Sequence, residues 1–533
     1  MFAQSSKHLV RLIALCLGIM LSALMTACAS LPGDVVRSPS HALTDADGAT
    51  RLTAVAAASL PEDAKISGLR LLPDGGQALE ARMALANAAG RTIDAQYYQI
   101  ANDASGREFL QALARAADRG VRVRLLIDDL HAGGEDDLLA GLAAAPNVEV
   151  RMFNPLAVRG GAVPSRVLLS LNEFTRVNRR MHNKLFIADN AFAISGGRNI
   201  GDAYFGRSQP ANFIDMDVIA AGKVVGEQSA VFDAYWNSEH AYPIQSLVAT
   251  ERAPQVARAQ FDAWAQGGGT DTAAQAVAER DLLGQGPVGA QLANGRVDLH
   301  LASVRVMADA PMKATHEQNL VDGAVMSGNL ELLQSARSDV MVTSPYFIPD
   351  TRMLDILQAS TARKVRVAVL TNSLATTDEP LVHVGYSRYR DELLGMGVAL
   401  YEMMPGVDAP QATAAVSHGS LGRLHAKVAV VDHRWLSIGS MNMDRRSAHS
   451  NTEMGLVIDS PELAMQVATL LQREQLPRSY QLRMQPGAAR PKLQWVAPSA
   501  TEQPLVFTAE PSRNWRRQLG VSFTSFFVSE QLL

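Results

Sequence analysis

Residues 182–199 read HNKLFIADNAFAISGGRN, and residues 425–442 read HAKVAVVDHRWLSIGSMN. Laid over one another, they share His182/His425, Lys184/Lys427, Asp189/Asp432, Gly196/Gly439 and Asn199/Asn442, each pair 243 residues apart. At roughly one in twenty per fixed residue, five such positions arise by chance about three times in ten million starts. Two occurrences in one chain are therefore a duplication.

Each stretch has a local reading. His and Lys two apart on a strand project from one face and can meet one phosphate. Leu185 to Ala188 continues as an apolar strand, Asp189-Asn190 is a turn, and Ala191 to Ser195 runs back. Gly196 and Gly197 permit close approach of backbone to an anion.

Working outward, Ile93 to Gln99 reads as a strand, Arg107 to Asp118 as an Ala/Leu-rich helix and Val121 to Ile127 as a β-branched strand. This βαβ order predicts a parallel sheet. It returns as Val340 to Phe347, Arg352 to Ser360 and Val365 to Leu370. Between the copies, Gly267-Gly268-Gly269 and the Ala/Gln/Gly-rich segment to Gly295 mark a boundary.

The first residues carry Lys7 and Arg11, an apolar run from Leu12 to Met25 and small residues ending at Ala27-Cys28, the layout of a signal peptide. The run is short of the roughly 20 residues that span a bilayer. Met25-Thr26-Ala27-Cys28 resembles the lipobox of bacterial lipoproteins, in which Cys28 becomes the lipidated first residue. That implies a membrane-anchored lipoprotein facing the periplasm; Ala29, where Asp would favour the inner membrane, leans toward outer-membrane sorting. The only other cysteine, Cys16, lies within the signal, so the mature chain has no intramolecular disulfide.

These boundaries divide the chain into a signal peptide (1–27), a tether (28–59), a first lobe (60–265), a linker (266–295), a second lobe (296–480) and a C-terminal extension (481–533). Hydrophobic residues make up 47% and charged residues 19% of the 533, which fits a globular body. Loss of Lys7 and Arg11 leaves 47 basic against 53 acidic residues, a poor match for a nucleic-acid backbone. The extension ends in Trp515, Arg516, Arg517, Phe523, Phe526 and Phe527, which fits either docking on a bilayer or packing on the body.

The paired stretches resemble the HxKx4D motif of the phospholipase D superfamily, with its downstream GGxN or GSxN. GGRNIGDAYF from Gly196, TNSLATTDEP from Thr371 and HVGYSRYRDELLGMGVALYE from His383 look like the bacterial cardiolipin synthase C type. The resemblance implies a duplicated α/β phospholipase D fold, two α/β/α sandwich lobes related by a pseudo-twofold with one shared active site. It implies phosphatidyl transfer through a phosphohistidine, with phosphatidylethanolamine or phosphatidylglycerol as donor and phosphatidylglycerol as acceptor. A hydrolase releasing phosphatidic acid is the alternative, and a nuclease is disfavoured by the acidic charge.

Carried over, His182 is the nucleophile and His425 the general acid, an assignment that can be reversed. Lys184, Lys427, Asn199 and Asn442 hold phosphate oxygens, while Asp189 and Asp432 complete the motifs and order their loops. Two near-symmetric histidines must differ in protonation, which a carboxylate on each ring's far nitrogen could tune. Asp215 and Glu453, downstream of their motifs in Phe213 to Ile219 and Thr452 to Ile458, are the candidates. No metal or cofactor is implied, since no other His/Cys/Asp cluster has ligand spacing.

Overall fold

The computed structural model describes residues 30–44, 48–61, 66–159, 166, 170, 173–248, 253–267, 277–314, 323–406, 421–485, 492–498 and 503–511. The expected signal peptide, Cys28 and the aromatic end from Trp515 lie outside the described residues.

In the first lobe the strands are β1 (Ser67–Leu72), β2 (Thr92–Tyr97), β3 (Arg122–Asp128), β4 (Val148–Phe153), β5 (Leu185–Ala188), β6 (Phe192–Gly196), β7 (Ala211–Ile214), β8 (Asp217–Gly222) and β9 (Ala241–Pro243). Their sheet runs β1-β8-β6-β5-β2-β3-β4-β9. Only β2-β3-β4 is parallel, as the βαβ reading requires; the other pairings are antiparallel, with a short turn joining β5 to β6 and a longer connection through β7 returning β8 beside β6.

Helices α1 (Arg51–Ser59), α2 (Gly75–Ala88) and α3 (Ala104–Asp118) pack on one face, and α4 (Lys223–Trp236) on the other. α3 shows why such helices form. Asp103 caps it by accepting from Gly106 N at 3.0 Å, and Phe109, Leu110, Leu113 and Ala117 fall on the buried stripe. Gly120, at φ +91°, then turns the chain into β3. Burial of Phe109 and Leu113 contributes about 1.5–3 kcal/mol each.

The second lobe repeats this order after α5 (Val288–Ala293). Its strands are β10 (His300–Ala308), β11 (Asp339–Thr343), β12 (Arg366–Asn372), β13 (Ala399–Met403), β14 (Leu421–Leu424), β15 (Val428–Val431), β16 (Trp435–Gly439), β17 (Met454–Asp459), β18 (Ser479–Met484), β19 (Leu493–Ala497) and β20 (Leu505–Phe507). They are arranged β10-β17-β16-β15-β11-β12-β13-β18-β19-β20. α6 (Ala324–Gln334), α7 (Thr351–Ala362) and α8 (Pro380–Ser387) cover the outer face, while α9 (Pro461–Leu470) covers the inner one.

The lobes are fused through strands and through core. β1 pairs antiparallel with β10, making one continuous sheet of 18 strands among the described residues. β7 pairs in parallel with β14 across the lobe boundary. A shared core holds Val218, Phe232 and Trp236 of the first lobe with Leu456, Leu463 and Val467 of the second.

Three segment readings change. The tether's described residues from Arg37 to Ser59 belong to the first lobe: Arg37 donates to Ala241 O, Ala42 N to Asp233, and Leu52 and Val55 of α1 enter the core. The apolar spacing of α1 was hidden by the polar stretch before it. The linker's described part packs on α2, where Glu80 accepts from Val288 N and Gly289 N at 3.1 and 2.8 Å. The extension supplies β19 and β20 to the second sheet, so lobe two continues to Glu510. Among the described residues no helix is long and apolar enough to cross a membrane.

Candidate active site

His182–Lys184 and His425–Lys427 are extended segments just ahead of β5 and β15, not strand residues as expected. The reason is that their backbones bond to the opposite lobe. His182 N donates to Thr452 O at 2.9 Å, and Met181 forms a parallel bridge with Thr452. In mirrored fashion His425 N donates to Ile214 O at 2.8 Å, where β7 and β14 end side by side. Each histidine is thus delivered to the segment carrying the other lobe's acid.

The acids pair crosswise. His182 Nδ1 lies 2.9 and 3.1 Å from the Glu453 oxygens, and His425 Nδ1 lies 2.6 Å from Asp215 Oδ2. With Nδ1–H donated to a carboxylate, Nε2 of each ring is left for chemistry. Lys427 Nζ also sits 2.9 Å from His425 Nδ1. One nitrogen serves one such partner, and the closer, ionised Asp215 takes its proton.

Both histidines line one cleft of about 700 Å³, together with Asn199, Asn442, Tyr98, Tyr204, Phe213, Tyr346, Asp378, Glu379 and Arg446. Tyr98 packs edge-on against His182, with ring centroids 5.1 Å apart, and Tyr204 against His425 at 5.2 Å. The ammonium of Lys184 lies 2.5 Å from His182 O and that of Lys427 2.5 Å from His425 O. Asn199 Nδ2 donates to Tyr204 OH, and its Oδ1, like that of Asn442, has no partner among the described residues.

Burial dominates the titration of this cluster. It pushes both histidines below their ordinary value, aided by the neighbouring lysines; His182 falls well below, while the Asp215 charge opposes the shift at His425. Lys184 is pushed down to about 7 and Lys427 to about 8, again chiefly by burial. The two acids diverge. Burial raises Glu453 to about 7 against the pull of Lys184 and Ser440. Burial acts on Asp215 too, but His425, Lys427 and Arg198 hold it well below the carboxylate range.

Asp189 and Asp432 stand apart from the cleft. Asp189, at φ +53° in its hairpin turn, accepts from the backbone N–H groups of Gly90, Arg91 and Thr92 at 2.8–2.9 Å. Asp432, at φ +54°, does the same for Arg337, Ser338 and Asp339. Each pins the motif hairpin to the entry of the neighbouring parallel strand, which is an ordering role.

Two positioning residues, Arg198 and Ser440, escaped the sequence reading, and Gly197, expected to admit an anion to the backbone, makes room for a side chain instead. Arg198, fully buried within GGRN, donates to the carbonyls of Leu72, Pro73 and Asp215 at 2.7–2.8 Å. Gly197 lets Asp215 approach, since a Cβ there would meet Asp215 Oδ1 at 2.1 Å. At the matching position Ser440 Oγ donates to Glu453 Oε2 at 2.5 Å. The signal was in the motif: GGRN against GSMN differs where the two acids differ.

A duplicated α/β/α scaffold that brings two carboxylate-clamped histidines and two asparagines into one cleft, with a buried lysine against each histidine's backbone, defines a two-histidine phosphoryl-transfer site. Residues 83–236 and 330–474 match the family model described as cardiolipin synthase, PLD-like domain. The chain belongs to that family, within the phospholipase D superfamily. It is 35% identical over 474 residues to cardiolipin synthase C of Escherichia coli K12, covering 87% of this chain and 96% of that one. A cardiolipin synthase of Staphylococcus aureus is 25% identical, covering 74% of this chain and 65% of the relative. The fold is similar to that of phosphatidylserine synthase from Haemophilus influenzae, with TM-score 0.51 and 13% identity over 78% of this chain and 87% of the other.

Proposed function

We propose that the protein is a phosphatidyltransferase that forms cardiolipin from two phospholipids. The reading is carried by the crossed clamps: each Nδ1 is held by a carboxylate of the other lobe, so both Nε2 atoms serve one phosphate. His182 Nε2 attacks phosphorus, the bond to the head-group oxygen breaks, and His425 Nε2 gives that oxygen its proton. In the second half the hydroxyl of phosphatidylglycerol attacks the phosphohistidine, His425 takes its proton back and His182 is released.

The asymmetry supports this order. His182, lowered further and paired with an acid that titrates near 7, is neutral and nucleophilic. His425 beside a firm anion is the ring better able to carry a proton. Lys184, Lys427, Asn199 and Asn442 hold the non-bridging oxygens.

Incubation of the full chain with vesicles of phosphatidylethanolamine and phosphatidylglycerol tests the proposal. Cardiolipin is the expected main product. Phosphatidic acid as the main product at every phosphatidylglycerol content makes the enzyme a hydrolase. The lipobox-like Met25 to Cys28 supports a lipid anchor on Cys28 and a periplasm-facing location. The mass of the mature N-terminus decides this; a start elsewhere without lipid mass removes the anchor.

A further inference from the structure

The cleft contains a pair of carboxylates that the two-histidine chemistry does not use. Asp378 and Glu379 follow β12 and immediately precede α8, and both line the cleft with His425. Their placement is built in. Asn372 and Leu424 exchange reciprocal hydrogen bonds of 2.9 Å, which tie the turn after β12 to the residue before His425. Thr376 N and Thr377 N both donate to Ser373 O and close that turn.

Neither acid is consumed by the fold. Glu379 is the N-cap residue of α8, yet its side chain makes no capping bond. Asp378 shares a hydrogen bond with Tyr346, but its Oδ1 is shut off from solvent with no partner among the described residues. The Asp378 charge reaches both His425 and Lys427. Burial and the repulsion of Asp378 raise Glu379, with Arg446 opposing.

Two carboxylates beside a site for a phosphodiester anion repel the substrate unless something else compensates them. A hydroxylated head group offers hydrogen bonds but no charge. An ammonium two carbons from the leaving oxygen offers both, and brings three donors to a carboxylate that has one oxygen unpartnered among the described residues. We propose that Asp378, with Glu379 at the rim, binds the ammonium of an ethanolamine head group as its oxygen leaves beside His425. Asp378 is then a specificity-determining residue for the donor, a role that rests on the phosphatidyltransferase reading above.

The test compares D378N and E379Q with the unmodified full chain. Initial rates of head-group release are measured as ethanolamine from vesicles of phosphatidylethanolamine mixed with phosphatidylglycerol and as glycerol from phosphatidylglycerol vesicles, so that phosphatidylglycerol is the acceptor in both. D378N is expected to lower the ethanolamine-to-glycerol ratio of kcat/KM at least tenfold, and E379Q about threefold. Thermal unfolding checks that each variant is folded; should D378N not fold, the E379Q ratio alone decides. An unchanged ratio, with both releases falling together, overturns the proposal and makes Asp378 a modulator of His425. If the unmodified protein releases no head group from either lipid, the phosphatidyltransferase reading falls, and this proposal with it.

Discussion

The two lobes carry the same motif at the same spacing, yet their histidines lean on different acids. In one clamp the short Asp215 reaches His425 because Gly197 leaves it room and Arg198 holds its backbone. In the other the longer Glu453 reaches His182, with Ser440 filling the space that the first clamp leaves to Asp215. The charges around Asp215 keep it ionised, whereas burial brings Glu453 to about 7. Duplication supplies two equivalent histidines; the unequal carboxylates support the roles proposed for them, His182 as nucleophile and His425 as general acid.

The harshest break is removal of the histidines. His182→Ala and His425→Ala are each expected to lower turnover by about 10³-fold or more while leaving the unfolding temperature close to normal. A covalent lipid adduct, sought by mass spectrometry after acid-free quenching, should survive only where His182 remains. An adduct on His425 in the His182 variant would reverse the roles.

The clamps differ in what they support, so the leaving group separates them. Asp215→Asn should cost about 10²-fold with phospholipid donors, because His425 loses the anion that favours its proton. A p-nitrophenyl phosphodiester needs no proton on its leaving oxygen and should recover most of that loss. Glu453→Gln should show no such recovery. Equal recovery in both variants would mean that the two clamps do the same work.

Gly197→Ala places a methyl carbon where Asp215 Oδ1 stands, so about a tenfold to 10²-fold loss of activity is expected. Ser440→Gly removes only one hydroxyl bond to Glu453 and should cost a few-fold. Comparable losses in the two variants would refute the difference in packing.

The pH profile sharpens the comparison further. Lys184 at about 7 and Lys427 at about 8 must be charged to hold phosphate, and deprotonation removes that charge. As pH rises through 7 to 8, kcat/KM should therefore fall, by roughly tenfold per unit for each lysine beyond its pKa. His182 is lowered well below 6.5, so its neutral form persists to lower pH and no acid limb belongs to it near neutrality. Lys184→Arg should move the alkaline limb upward; an unmoved limb assigns it elsewhere.

The smallest catalytic effect is expected at the hairpin acids. Asp189→Asn loses carboxylate bonds to three N–H groups and should cost about 1–3 kcal/mol in chemical unfolding, with turnover reduced only a few-fold.

Much of this is legible in the sequence. The duplicated motif, the βαβ order of each lobe, the hairpin turn at Asp189-Asn190 and the candidate acids all follow from spacing and periodicity, which act over a few residues. α1 and the strands after residue 480 were less legible, because β19 and β20 are short and gain their partners only from a sheet already formed. Arg198 was also missed, since its carbonyl partners lie on turns distant in the chain.

The chain by itself determined that two histidines, two lysines and two asparagines would act as a pair, because identical spacing places identical residues at identical points of a repeated fold. Which acid serves which histidine was decided only by tertiary structure. His182 and Glu453 lie 271 residues apart, and His425 and Asp215 lie 210 apart. Local patterns place each acid beside its own motif; the lobe interface, through Met181 on Thr452 and β7 on β14, exchanges them. Contacts at such separation leave no periodic trace in sequence, since they depend on how two finished sheets meet.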